Sequence, residues 1–438
     1  MKDMTVGSPT KIIIQFAIPI LLGNLIQLTY TLIDTRIIGV FLGDHALAAV
    51  GATTQLSTLF TGFLIGMANG FAIMTARNFS QRDYEMVKTS FVLALLLGIA
   101  FIVGISILTL LLLHRILMFL NVSEELMPDA GTYVSIIIAG MVITMIYNVL
   151  LSSARAIGDS LTPLLTLCVS VCLNIAGDYL MVGVFGTGVW GAAMATVFAQ
   201  GITMVLCAIY MYRKYEFFRV CKRDFKNIDA ALVRSMLSSG LSMGFMSSLI
   251  MIGSLILQTG INGLGNSYIV AQSVARQITN VLMTVFVSVG NAMVTYCSQN
   301  YGVGNMERVR QGMKAGYLIT CTWCVFVLLI VYSAAPLLIQ FVTGSHDAVM
   351  INAADQYLRI DSVLYVLVAV IFVQRNSLQG VGDKITPLIS SGIEMVGKVV
   401  LTYTLVPKMG YFGVILVEPI VWIVMIIPLI MKVRKWDY

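Results

Sequence analysis

Arg155-Ala-Ile-Gly-Asp-Ser-Leu-Thr-Pro163 and Gln379-Gly-Val-Gly-Asp-Lys-Ile-Thr-Pro387 are two versions of one phrase, the second 379 − 155 = 224 residues after the first. Outward from it, Asn78-Phe79 recurs as Asn300-Tyr301, and Gly188-Val-Trp-Gly191 recurs as Gly410-Tyr-Phe-Gly413. These two offsets are 300 − 78 = 222 and 410 − 188 = 222. Three phrases kept in order at nearly one spacing mark an internal duplication.

The residues between these landmarks are apolar. Of 438 residues, 58% are hydrophobic and 11% charged, whereas soluble domains are about a quarter charged. A helix needs about 20 apolar residues to cross the hydrocarbon core. On that ruler, spans are predicted at 12–38, 46–72, 89–113, 132–154, 161–183 and 188–212. The second copy supplies 236–262, 270–298, 313–335, 355–379, 386–407 and 411–433. The expected fold is all-α and integral to the membrane: twelve helices in two six-helix bundles related by a pseudo-twofold. The first stretch, from Lys11 past Val40, is too long for a signal h-region, so no cleavable signal is expected.

The net charge of +6 does not point to nucleic acid, because the basic residues are strung between apolar stretches. Placing the N-terminus inside puts Arg77, Arg82, Lys88, Arg308, Arg310 and Lys314 on the inner face. Arg115, Arg359 and Lys408 fall outside. Both termini are then cytoplasmic. The basic segment 213–234 is the only long polar stretch and reads as the linker between lobes 1–212 and 235–438. Cys321 and Cys324 lie within an apolar run and read as packing. His45, His114 and His346 sit at expected helix ends, so zinc chemistry is not expected.

An ionisable group inside a span is costly and marks function. Asp34 lies about 22 residues into the first span and Asp178 about 17 into the fifth, which at 1.5 Å per residue puts both in the outer half of the bilayer. Thr196 reaches a comparable depth from the outer end of the sixth span. Asn174 sits one turn before Asp178 on the same helix face. Oxygen ligands of this kind suit Na⁺, and paired carboxylates in a dry site suit a proton. The alternative is that Arg36 or local hydrogen bonds fix the acids for packing alone.

Polar stripes run along other spans. Asn24, Gln27, Thr31 and Asp34 share one face of the first, with Tyr30 beside them. Ser254, Gln258 and Asn262 recur in the seventh; Arg276, Asn280, Thr284, Ser288, Asn291 and Thr295 recur in the eighth. Such stripes either join helices or line a wet substrate cavity. Met243, Met246, Met251, Met283 and Met293 add flexible thioethers, which serve adaptable ligand contacts or plain membrane packing.

The residues together resemble the multidrug and toxic compound extrusion (MATE) family. The resemblance rests on Pro19, Asn24, Asp34 and Gly39, then Ala46-Leu-Ala-Ala-Val-Gly51. It continues through Gly158-Asp-Ser-Leu-Thr-Pro163, Leu173-Asn-Ile-Ala-Gly-Asp178-Tyr and Gly188-Val-Trp-Gly-Ala-Ala-Met-Ala-Thr196. It implies a V-shaped antiporter, working as a monomer in the inner membrane, that exports small amphipathic organic cations in exchange for H⁺ or Na⁺. Drug resistance is the implied consequence; no further cofactor is implied. Similarity to the DinF-like branch places ion coupling at Asp34, Asn174, Asp178 and Thr196, with the Ala192 carbonyl as an extra ligand. Asn148 matches a further polar position. Pro19, Gly23 and Gly39 are where the first helix would rearrange on protonation.

The second copy departs from this pattern. Shifting Asn174 by 224 gives Lys398, shifting Asp178 by 224 gives Thr402, and shifting Thr196 by 222 gives Glu418. Lys398 is therefore expected to pair with Glu418, or with Glu394 one turn away, and to keep that lobe neutral. Asp361, at the expected outer end of the tenth span, does not fit the acid motif of the other branch. Only Arg36, Arg276 and Lys398 read as intramembrane bases. The competing function is a lipid-linked precursor flippase of the wider superfamily. An enzyme is disfavoured by the absence of any Ser/His/Asp, HExxH or phosphate-loop pattern.

Overall fold

The computed structural model describes residues 3–120, 122–220, 228–344 and 347–436. The expected linker is therefore described only in part: Lys222, Arg223 and Lys226 lie outside the described residues, as does His346. Every regular element among the described residues is a helix.

Pro9–Ser80 is helical over 72 residues, which at 1.5 Å per residue would reach about 108 Å, more than three hydrocarbon cores. It is divided at Gly43, whose φ of 78° and ψ of −176° are non-helical and open to a residue without Cβ. The halves are α1 (9–42) and α2 (44–80). Then follow α3 (Tyr84–Phe119), α4 (Met127–Ala156), α5 (Leu161–Asp178) and α6 (Gly188–Lys214). The second copy gives α7 (Ala230–Asn262), α8 (Asn266–Gly302) and α9 (Met306–Thr343). In α10, Ala348–Val363 and Tyr365–Gly380 meet at a 53° bend. The last two are α11 (Ile385–Thr404) and α12 (Tyr411–Arg434). Among the described residues, 10 helices can cross a membrane as they stand, the bent pair makes 11, and the division at Gly43 makes a twelfth. Each expected span falls within one of these helices, except that 161–183 runs past Asp178, 355–379 crosses the bend at Leu364 and 386–407 runs past Thr404.

The chain forms two compact units. One is built mainly from Leu22–Gly244, the other from Met4–Leu21 and Phe245–Tyr438. The described residues of the segment expected as a linker lie inside the first unit, and the start of α1 packs with the second. Its anchors are hydrogen bonds from the Met4 amide to Gln299 (3.0 Å) and from Asn300 Nδ2 to the Met4 carbonyl (3.1 Å). Phe16 and Ile13 bury against Met293 and Tyr296. In the first unit Leu64, Phe71, Phe91, Ile138 and Met145 form the centre of the core. In the second, Phe286, Val327, Tyr357, Tyr365 and Trp422 do so. Leu111, Leu329 and Leu337 stand exposed on outer faces, as expected where hydrocarbon is the solvent.

The duplicated phrase is a turn. Gly158 (φ 78°) and Gly382 (φ 84°) take left-handed conformations, which lets each preceding helix end. The next residue caps the following helix. Asp159 accepts from the Leu161 and Thr162 amides at 3.1 and 3.0 Å, and Asp383 accepts from Ile385 and Thr386 at 3.1 and 3.0 Å. A lysine from the sixth helix of each copy completes the turn: Lys214–Asp159 at 3.3 Å and Lys432–Asp383 at 3.4 Å. These turns fix where α5 and α11 begin, and hence the level of the polar groups on them.

Candidate ion-coupling site

Four helices of the first unit bring the site together. Tyr30 and Asp34 are one turn apart on α1, while Asn174 and Asp178 are one turn apart at the end of α5. Beyond Asp178 the chain continues as a π-helical turn, Tyr179–Val184, a geometry that concentrates at functional sites. Val182 of that turn packs with Ile38, Ala46, Val50 and Val189, and Tyr179 meets Phe41 edge-on at 5.9 Å. This apolar plug lies just beyond the acids.

Asp178 is 1% exposed and Asn174 4%; Asp34 and Thr196 are half-buried. The Asp34 and Asp178 carboxyls lie within hydrogen-bonding reach of each other. With its amide turned so that donors meet acceptors, Asn174 donates to Asp178 Oδ2 (2.8 Å) and to the Tyr30 hydroxyl (2.9 Å), and its oxygen accepts from the Thr196 hydroxyl (3.2 Å). Thr196 Oγ1 also lies 3.1 Å from the Ala192 carbonyl. Tyr133 of α4 faces both carboxyls. Arg36 is exposed and is not among the groups acting on either acid.

Asp178 Oδ1 is buried and has no hydrogen-bond partner; its neighbour is another acid. Two carboxyls placed so cannot both stay ionised unless a positive species lies with them. Carboxylate, carboxamide and hydroxyl oxygens fit a hard cation, and the paired acids fit a proton. Beside the site is a polar cavity of about 160 Å³ lined by Ser57, Thr61, Tyr133, Thr144, Thr196 and Gln200. Across it the Thr144 hydroxyl donates to Gln200 Oε1 at 2.6 Å. Tyr133 and Gln200 were not readable as site residues, because which side of α4 turns toward α6 is settled by packing.

The other polar residues are more dispersed. Gln27 and Thr31 are exposed, Thr31 bonding the Gln27 carbonyl at 3.0 Å, and Asn24 is half-buried. Asn148 is buried and bonds the Thr144 carbonyl at 2.8 Å. In the second unit Gln258 bonds Asn262 at 2.9 Å, Asn280 is exposed, and Thr284 is buried against the Asn280 carbonyl at 2.8 Å.

Where the second copy would repeat the candidate site, it holds an ion network. Lys398 Nζ lies 3.0 Å from Glu394 and 3.5 Å from Glu418, so the two expected partners are both engaged. Arg375 reaches Glu394 at 3.7 Å and Arg276 reaches Glu418 at 3.8 Å. Arg375 adds to the intramembrane bases expected: it lies inside the expected tenth span, between Gln374 and Asn376. Asp361, expected at the outer end of the tenth span, instead sits at the bend of α10, 0% exposed.

A family model described as MatE matches the chain twice, over residues 19–180 and 242–404. The chain belongs to the MatE family. The doubled match follows the duplication seen in the sequence. Among curated relatives, the Bacillus subtilis protein "Probable multidrug resistance protein YpnP" is 26% identical over 88% of this MatE chain and 86% of its own length. The multidrug export protein MepA of Staphylococcus saprophyticus is 23% identical over 86% and 83%. A solved structure described as an outward-facing multidrug resistance MATE family transporter of the MOP superfamily has a TM-score of 0.90 at 23% identity, covering 99% of this chain and 98% of that one. This MatE chain is thus a multi-pass membrane protein with the transporter fold.

Proposed function

We propose that the protein is a secondary antiporter of the DinF-like branch that exports small organic, chiefly cationic, molecules by alternating access. The observation carrying this reading is the Asp34/Asp178 pair, gathered with Asn174, Tyr30 and Thr196 in a site to which no basic side chain among the described residues contributes. A proton or Na⁺ entering there neutralises the acids, and its loss restores like-charge repulsion between α1 and α5. The hydrogen bond that the Asn174 amide donates to the Tyr30 hydroxyl ties that event to α1, where Pro19, Gly23 and Gly39 allow bending. Within the first unit, Gln27 and Thr31 are exposed polar side chains available to substrate. The relatives' names support multidrug export over a flippase.

The protein works as a monomer in the cell membrane with both termini cytoplasmic, the arrangement that puts most lysines and arginines inside. The test is efflux of a fluorescent organic cation from reconstituted vesicles, with the Na⁺ and pH gradients imposed separately. Export driven by one gradient is expected; export driven by neither contradicts the proposal.

A further inference from the structure

The first unit carries an outer groove that the coupling reading does not use. Two larger outer grooves, of about 490 Å³ on the first unit and about 550 Å³ on the second, are lined by apolar side chains and glycines alone. A third, of about 200 Å³, lies between α5 and α6. Leu165, Thr166 and Val169 line it from α5, and Thr203, Leu206 and Tyr210 from α6, each set on one helix face. Leu165, Val169, Leu206 and Tyr210 are exposed. The threonines add little polarity: Thr203 Oγ1 donates to the Ala199 carbonyl at 2.7 Å, and Thr166 Oγ1 to the Thr162 carbonyl at 2.9 Å. Their hydroxyl protons are thus spent inside the helices, and a polar ligand laid there would go unpaired. An aliphatic chain would not.

What sets this groove apart is its basic end. Lys214 Nζ donates to the Tyr210 hydroxyl at 2.7 Å and stands 4.8 Å from the centre of that ring. Lys214 also meets Asp159 at 3.3 Å, yet its side chain is 40% exposed. Arg213 beside it is exposed and pairs with no acid among the described residues. In the second copy the groove between α11 and α12 reaches only to Val424 on α12. Lys432 comes 432 − 424 = 8 residues later, about 12 Å of helical rise away. We propose that the groove between α5 and α6 is a binding site for an anionic phospholipid. One acyl chain lies along Leu165, Val169 and Leu206, and the phosphate rests against Arg213, Lys214 and the Tyr210 hydroxyl. A tyrosine and bases at the end of an apolar span mark the membrane–water interface, and bases gathered there attract anionic headgroups. A zwitterionic headgroup brings the same phosphate with a cation attached, so it gains less from the two bases. A lipid held this way spans α5 and α6, the helices that carry Asp178 and Thr196.

The site lies outside the coupling machinery, so its test reads lipid binding and needs no transport. Purified full-length protein in neutral detergent is titrated with phosphatidylglycerol or with phosphatidylcholine of the same chains, and the first lipid bound is followed by native mass spectrometry. Wild type is expected to bind phosphatidylglycerol the more tightly. R213Q is expected to lose roughly fivefold in that affinity, the worth of one basic residue near an anionic headgroup. R434Q, which removes an exposed arginine at the end of α12, is expected to keep the wild-type affinity. V169W, which fills the groove, is expected to weaken the first binding of both lipids. Equal affinity of wild type for the two lipids would overturn the proposal, as would R213Q with undiminished affinity. So would R434Q as weak as R213Q, which means diffuse charge rather than a site, or V169W that binds the first phosphatidylglycerol as wild type does.

Discussion

Replacing Lys398 by methionine and Glu394 by glutamine should have unequal costs, although the two residues face each other at 3.0 Å. Three cations, Arg276, Lys398 and Arg375, share two carboxylates, Glu394 and Glu418. Without Lys398 each carboxylate keeps an arginine, at 3.7 and 3.8 Å. What is lost is chiefly the charge-assisted hydrogen bond to Glu394, about 2 kcal/mol, with the longer contacts to Ser254 Oγ at 3.4 Å and Glu418 at 3.5 Å, while methionine keeps the length of the stem. Without the Glu394 charge, Arg375 is left buried at 6% exposure with neutral contacts, Ser391 Oγ at 3.4 Å and the Phe372 ring at 5.4 Å. An orphaned buried charge costs roughly 3–5 kcal/mol. The gap of about 2 kcal/mol should appear as a midpoint roughly 4–8 °C lower for E394Q than for K398M. Thermal unfolding in detergent, followed by tryptophan fluorescence, reads this directly. Equal midpoints, or K398M the less stable, would refute the assignment of Arg375 to Glu394. Lys398→Asn, which shortens the side chain as well, should destabilise further and leave coupling-ion specificity unchanged. A newly acquired ion dependence of transport would contradict that.

Burial disfavours ionising Asp159, but the Thr162 and Tyr215 hydrogen bonds, the Thr162 amide and Lys214 outweigh it and bring its carboxyl to about 2. A depressed carboxyl stabilises the fold above its unfolded value and loses that stabilisation as pH falls, so about 2 kcal/mol should disappear between roughly pH 4 and pH 2. D159N should lack that acid-sensitive component in acid titrations of stability, and a wild-type profile retained by D159N would refute the capping role. Thr196→Val removes the hydroxyl shared by Asn174 and Ala192; a loss of about 1 kcal/mol predicts roughly fivefold weaker dependence of export on the driving ion. Unchanged ion dependence would remove Thr196 from the site. Tyr30→Phe should lower export while leaving the unfolding midpoint within about 1 kcal/mol of wild type, and full export would mean that α1 senses the site by another contact.

Much of the fold was legible because lipid demands long apolar helices and the duplication gave two chances to read each. Asp34, Asn174, Asp178 and Thr196 were legible for a related reason: a polar residue in an apolar span stands out, and its depth follows from helical rise. Tyr133 and Gln200 did not stand out, since nothing on one helix says which neighbour it faces. The bend at Leu364 was hidden as well. Residues 361–366 contain no glycine or proline, and without the bend Asp361 looked like the end of a span. The Gly-Asp phrases showed that the chain repeats, yet not what the repeat is for. Only the left-handed Gly158 and Gly382, and the carboxylates capping the next turn, give the reason.

The most direct test of the central claim is gradient-driven export by D34N and D178N in reconstituted vesicles, beside wild type and with thermal unfolding confirming that each variant is folded. Each variant should bind the driving ion poorly and export no substrate under the gradient that drives wild type. Wild-type export by both folded variants would place the coupling elsewhere and contradict the account.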